Sequence, residues 1–113
     1  MSNLKEKKIK LWLEKFDCFR LFGKDSRRFL NGLTTGNIIN LKNEVLKTCL
    51  LTPNGVLKSL LEIICFDNHL EVIVLEGNIN EIRKYFNDII FPSDDVKLSD
   101  TFSINRVQEV NDV

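Results

Sequence analysis

Two kinds of hydrophobic spacing recur along this chain of 113 residues. Apolar and polar positions that alternate predict strands, and apolar positions three or four apart predict helices. From Phe16 to Phe22 the aromatics and Cys18 predict a strand, with Phe19 and Leu21 on one face and Asp17 and Arg20 exposed elsewhere. The chain then turns at Gly23. Asp25 reads as an N-cap, because its carboxylate can accept from the free N–H groups of a first helical turn and complements the helix dipole. Phe29, Leu30 and Leu33 form the buried stripe of that helix, and Thr34, Thr35 and Gly36 end it, Gly36 suiting the left-handed position after a helix.

Val45 to Thr52 and Val56 to Phe66 are β-rich runs joined by Pro53-Asn54-Gly55, in which Pro fixes one turn dihedral and Asn-Gly tolerates positive φ, so a hairpin is expected. In the second run Leu57, Leu61, Ile63 and Cys65 share one face while Lys58 and Glu62 share the other, as in a half-buried antiparallel strand. Asp67-Asn68-His69 makes a second tight turn into Leu70 to Leu75, apolar at almost every position and expected to be a central strand covered on both faces. Asn78 and Glu81 have capping-box-like spacing. Ile79, Ile82, Phe86, Ile89 and Ile90 follow at helical spacing until Phe91-Pro92, where the residue before Pro avoids the α region. Val96 to Leu98 and Phe102 to Ile104 supply a last strand or two. The order β-α-β-β-β-α-β predicts an α+β domain over residues 16–104, with a mostly antiparallel sheet, two helices on one face and a ferredoxin-like arrangement. Residues 1–15 are Lys-rich around Ile9, Leu11, Trp12 and Leu13 and read as a basic arm, either frayed or a short amphipathic helix; residues 105–113 read as a polar tail.

Composition narrows the picture in two ways. The hydrophobic share of 43% against 28% charged residues is that of an ordinary globular domain with a single core. Sixteen basic and sixteen acidic residues cancel, which removes the global field expected of a nucleic-acid or anionic-membrane binder. Cys18, Cys49 and Cys65 are too far apart for Cys-x-x-Cys spacing and sit in apolar runs, so they read as reduced, buried thiols. That usage, without a membrane-spanning run or a signal-peptide h-region, predicts a cytoplasmic protein.

Candidate chemistry is sparse. His69 stands in a turn with no second His at metal-ligand spacing and reads as structural or exposed rather than as a base. Asp94, Asp95 and Asp100 form a carboxylate cluster that follows Phe91-Pro92-Ser93, where acids make turns and face water; a metal site is the minor alternative. Arg27 and Arg28 have the fork geometry for a carboxylate or phosphate, although a solvated helix face is the better account of them. No phosphate-cradling Gly-rich loop appears, and no Ser or Cys nucleophile with a His partner, so no catalytic residue is assigned.

Four segments carry a resemblance. They are Gly23-Lys24-Asp25 with Arg28-Phe29-Leu30-Asn31-Gly32, then Thr35-Gly36-Asn37-Ile38, the hairpin Leu51-Thr52-Pro53-Asn54-Gly55, and Asp95-Val96-Lys97-Leu98-Ser99-Asp100. In order and spacing they resemble the N-terminal domain of the folate-binding YgfZ family, relatives of the glycine-cleavage T-protein. The similarity runs roughly from Phe16 to Phe102. The family's Lys-Gly-Cys-x-x-Gly-Gln-Glu motif belongs to a later part that this sequence does not contain, so relative to the family the chain is truncated. Where the family's Thr turn reads Thr-Asn-Asp-Val, this chain has Gly36-Asn37-Ile38 without the acid.

The resemblance implies a module that binds tetrahydrofolate and aids iron–sulfur cluster assembly or repair. Thr35, Asn37, Ser59 and Leu60 would be its cofactor-binding positions, and iron–sulfur client proteins its partners. Because family members hold folate in a cavity shared among domains, this chain would supply one wall, completed by a complementary chain or by a second copy. The glycine-cleavage enzyme has an essential Asp where this chain has Ser59 and Leu60. Without that acid an aminomethyltransferase is not expected. The alternative is a non-catalytic remnant or protein-interaction domain that has kept the fold and lost the folate site.

Overall fold

A strand of 15 residues, β1 (Lys8–Phe22), organises the molecule. It is followed by α1 (Ser26–Leu33), β2 (Val45–Leu51), β3 (Lys58–Cys65), β4 (His69–Glu76), α2 (Ile79–Ile89), β5 (Lys97–Leu98) and β6 (Phe102–Asp112). The computed structural model describes residues 8–34, 38, 44–55 and 58–112. The strands lie in the order β2-β3-β4-β1-β5, with β6 also on β1, and every pairing is antiparallel. The domain is therefore α+β with an antiparallel sheet and two helices, as the hydrophobic spacing predicts.

Each β1 residue from Asp17 to Phe22 pairs with β4, whereas Lys8 to Cys18 pair with β6 and Leu21 and Phe22 with β5. Ser99 bridges the interruption between β5 and β6. Its hydroxyl accepts the Arg20 N–H at 2.8 Å, and its own N–H donates to the Arg20 carbonyl at 2.9 Å. Two expectations are corrected here. Lys8 to Lys15 form a strand rather than an arm or a helix, and residues 105–112 form their partner strand rather than a loose tail. Each stretch satisfies its backbone groups on the other, about ninety residues away in the chain, a pairing that local spacing does not reveal.

Strand alternation sends Phe19 and Leu21, Leu61, Ile63 and Cys65, and Leu70, Val72 and Val74 to one face, where they are buried with Leu30 of α1 and Ile82 and Phe86 of α2. Both helices thus cover the same side of the sheet. Phe86 sets its ring edge-on to Phe19 (centroids 5.7 Å apart) and to Phe29 (5.4 Å), so one side chain ties α2 to β1 and α1.

The helix starts differ. Asn78 caps α2 as expected, its side-chain oxygen accepting from Asn80 N–H at 2.9 Å and Glu81 N–H at 3.2 Å. Asp25 occupies the cap position of α1, but its carboxylate makes no bond to the first turn. It accepts instead from Asp95 N–H at 2.8 Å and pairs with Arg28 at 3.2 Å. At the other end Thr34 closes α1, its N–H and its hydroxyl both donating to the Leu30 carbonyl. The hairpin between β2 and β3 turns with Gly55 at φ +71 and its N–H donating to the Thr52 carbonyl at 2.8 Å.

Candidate functional site

The face of the sheet turned away from the helices is the distinctive surface of this chain. Phe16, Cys18 and Ile73 are buried there among Ile64, Leu75, Phe102 and Ile104, all of them strand residues. On β2 of the same face Val45, Cys49 and Leu51 are exposed. Two cation–carboxylate pairs cross this surface. Arg106 lies over the Phe16 ring, 5.5 Å from its centroid, and donates to Glu62 at 2.6 Å; Arg20 lies over Phe102 at 4.7 Å and pairs with Glu71 at 3.3 Å. Glu62 is only 5% exposed, which corrects the expectation that it faces water. Its burial is tolerated because Arg106 supplies both the countercharge and a hydrogen bond.

The positions suggested for folate separate. Thr35 and Asn37 lie outside the described residues. Ser59 pairs with Leu50 of the core and turns toward the helices, whereas Leu60 pairs with exposed Cys49 and stands half-buried on the uncovered face. Ser59 is 4% exposed, and its hydroxyl finds no hydrogen-bond partner. Gly77 explains the tight fit: at φ +133, a Cβ added there would stand 2.4 Å from Ser59 Oγ.

Across from Leu60 the register slips. Leu61 pairs with Val74 but Leu60 pairs with Glu76, so Leu75 is the extra residue of a β-bulge and Glu76 shares the face of Leu60. An exposed carboxylate therefore stands beside Leu60. Sequence reasoning missed Glu76 because only the bulge brings it there.

Thr52, Pro53 and Asn54 of the hairpin turn form one wall of a cleft of about 520 Å³, with Lys84 and Tyr85 of α2 opposite. Its size suits a small molecule. Glu81 and Asp88 flank Lys84, so the cleft does not favour an anion, and neither Ser59 nor Leu60 lines it.

The remaining candidates resolve into structure. Asp94 accepts Phe91 N–H at 3.0 Å, and Asp95 accepts Lys24 N–H at 3.1 Å. Among the described residues no group of His, Cys, Asp and Glu is arranged to hold a metal ion. His69 is half-buried, stacked on Phe66 at 4.8 Å and tilted against Phe22 at 5.5 Å. Burial raises the Cys18 thiol from its ordinary 9.0 to about 11, with Glu71 and Asp17 adding to the effect, and burial likewise raises Cys65. Cys49 departs from the expectation of a buried thiol, being exposed on β2. Among the described residues no helix is long and apolar enough to cross a membrane. No protein-family model and no curated protein matches this chain.

Proposed function

We propose that this chain is a folate-binding module of the YgfZ kind, aiding iron–sulfur cluster assembly or repair, and that it forms one wall of the folate cavity. A complementary chain or a second copy completes that cavity. The observation that supports this reading is the setting of Leu60. It stands half-buried on the face that neither described helix covers, with Glu76 as its cross-strand neighbour. An apolar side chain gives a flat pterin ring a surface to lie on, and a carboxylate beside it matches the paired N–H donors of the pterin edge. With Leu60 in place of an acid, the wall binds and orients; it assigns no group to proton transfer.

The cellular role is tested by deleting the gene and assaying iron–sulfur enzymes. Reduced activities restored by this chain, and not by its Leu60→Arg variant, are the expected result. Unchanged activities on deletion would contradict the role.

One observation favours a second reading, a protein-interaction domain that has lost folate. Ser59, which often stands at this position in the YgfZ family, is packed beneath Gly77 and cannot touch a ligand without moving β3 from β4. On this reading the uncovered face serves a protein partner alone. Tetrahydrofolate then leaves the chain's stability unchanged.

A further inference from the structure

We infer that the cleft between the start of α1 and the β3–β4 turn binds a small oxyanion, a phosphate or a carboxylate group. This site is separate from the Leu60 face and does not depend on the folate reading. The cleft encloses about 340 Å³, with Lys24, Ser26 and Arg27 on one side and Asn68 and His69 on the other. Asp67 also lines the cleft and is exposed.

Three features converge on an anion. First, α1 presents the positive end of its dipole here, and its cap carboxylate makes no capping bond to the first turn. Asp25 is turned toward Asp95 and Arg28, and the first turn contains no acidic residue. Second, Ser26 lines the cleft at 3% exposure, and among the described residues its hydroxyl has no hydrogen-bond partner. A buried hydroxyl left in this state calls for an explanation, and a ligand oxygen in the adjoining cleft would supply one.

Third, the side chains around it are donors. Lys24 and Arg27 carry positive charge, Arg27 being anchored through Nη1 to the Ile38 carbonyl at 3.5 Å, and Asn68 supplies an amide. His69 is held in orientation by its stack on Phe66. Of the acids at this helix end, Asp25 accepts Asp95 N–H, Asp95 accepts Lys24 N–H and Asp94 accepts Phe91 N–H; Asp25 and Asp94 also pair with Arg28, and none of the three lines the cleft. The cleft lining therefore carries two cations, Lys24 and Arg27, against the single acid Asp67.

The test is amide NMR of the intact chain titrated with sodium phosphate, with sodium acetate, and with sodium chloride at matched ionic strength. Saturable shifts at Gly23 to Arg27 and at His69, with phosphate or acetate but not chloride, are expected. Saturation by phosphate alone assigns the ligand as a phosphate; saturation by acetate alone assigns a carboxylate. Lys24→Gln and Ser26→Ala should each weaken binding several-fold. Ser26→Ala should do so without lowering the thermal midpoint, since it removes only an unpartnered hydroxyl, so weakened binding would not reflect unfolding. No saturation with either anion, or saturation unchanged in both variants, would overturn the assignment.

Discussion

Asp25 and Asp95 clamp each other through their backbones: Asp95 N–H donates to the Asp25 carboxylate at 2.8 Å, and Asp25 N–H donates to the Asp95 carbonyl at 3.1 Å. Residues seventy positions apart are thereby joined at the point where β1 hands over to α1. The contact also unites the segment that opens α1 with the one that leads into β5. Gly23 completes it, since at φ +115 a Cβ there would stand 2.0 Å from the Asp95 carbonyl oxygen.

Loss of this clamp has a measurable cost. Asp25→Ala leaves the Asp95 N–H without its acceptor and should destabilise the chain by about 1–3 kcal/mol in urea unfolding. Gly23→Ala adds a backbone clash and an unfavourable φ, and should cost about 3 kcal/mol or more. Equal stability of Gly23→Ala and the natural chain would contradict the geometry.

The thiols should divide by reactivity and pH. Cys49 is exposed and should react first with a thiol reagent, whereas Cys18 and Cys65 should react only as the fold opens. Cys18 titrates near 11 in the folded chain against an ordinary 9.0, so the folded state favours its neutral form. Its contribution to stability is whole below pH 9.0 and is lost as pH rises toward about 11. Cys18→Val should flatten the fall in stability over that range, measured by urea unfolding at each pH.

Much of this fold is legible along the chain because it is local. The hairpin at Pro53-Asn54-Gly55, the Asn78 cap and the inward faces of β3 and α2 each follow from residues within one turn or strand. What is hidden depends on distant partners. Glu62 looks like an exposed strand residue until Arg106 arrives from β6, and Lys8 to Lys15 look like an arm until β6 pairs with them. The candidate site divides in the same way. Strand alternation already separates Ser59 from Leu60, but the bulge at Leu75 that brings Glu76 beside Leu60 has no local signature in the sequence.

The Glu62–Arg106 pair offers a test of the uncovered face. Arg106→Ala strands a nearly buried carboxylate and should cost about 2–4 kcal/mol, less than a fully buried pair because Arg106 is 34% exposed. Replacing both partners, Glu62→Leu with Arg106→Met, should recover most of that loss, since apolar groups of similar size fill the same space. A double variant as unstable as Arg106→Ala would mean that packing, not charge, sets the cost.

Phe86 tests the helical side. Its ring meets Phe19 and Phe29, and Phe86→Ala should cost about 3–5 kcal/mol through the cavity it leaves. A loss below about 1 kcal/mol on thermal or urea unfolding would contradict the packing that joins α2 to β1.

A folate wall at Leu60 should show in the thermal unfolding midpoint of the chain with and without excess tetrahydrofolate. A ligand at a hundred times its dissociation constant stabilises by about 2.7 kcal/mol, which for a domain of this size raises the midpoint by roughly 10 °C or more. The natural chain should show that rise, Glu76→Gln a smaller one and Leu60→Arg none. An equal rise in all three would count against the Leu60 wall, and an unchanged midpoint for the natural chain would favour the protein-interaction reading.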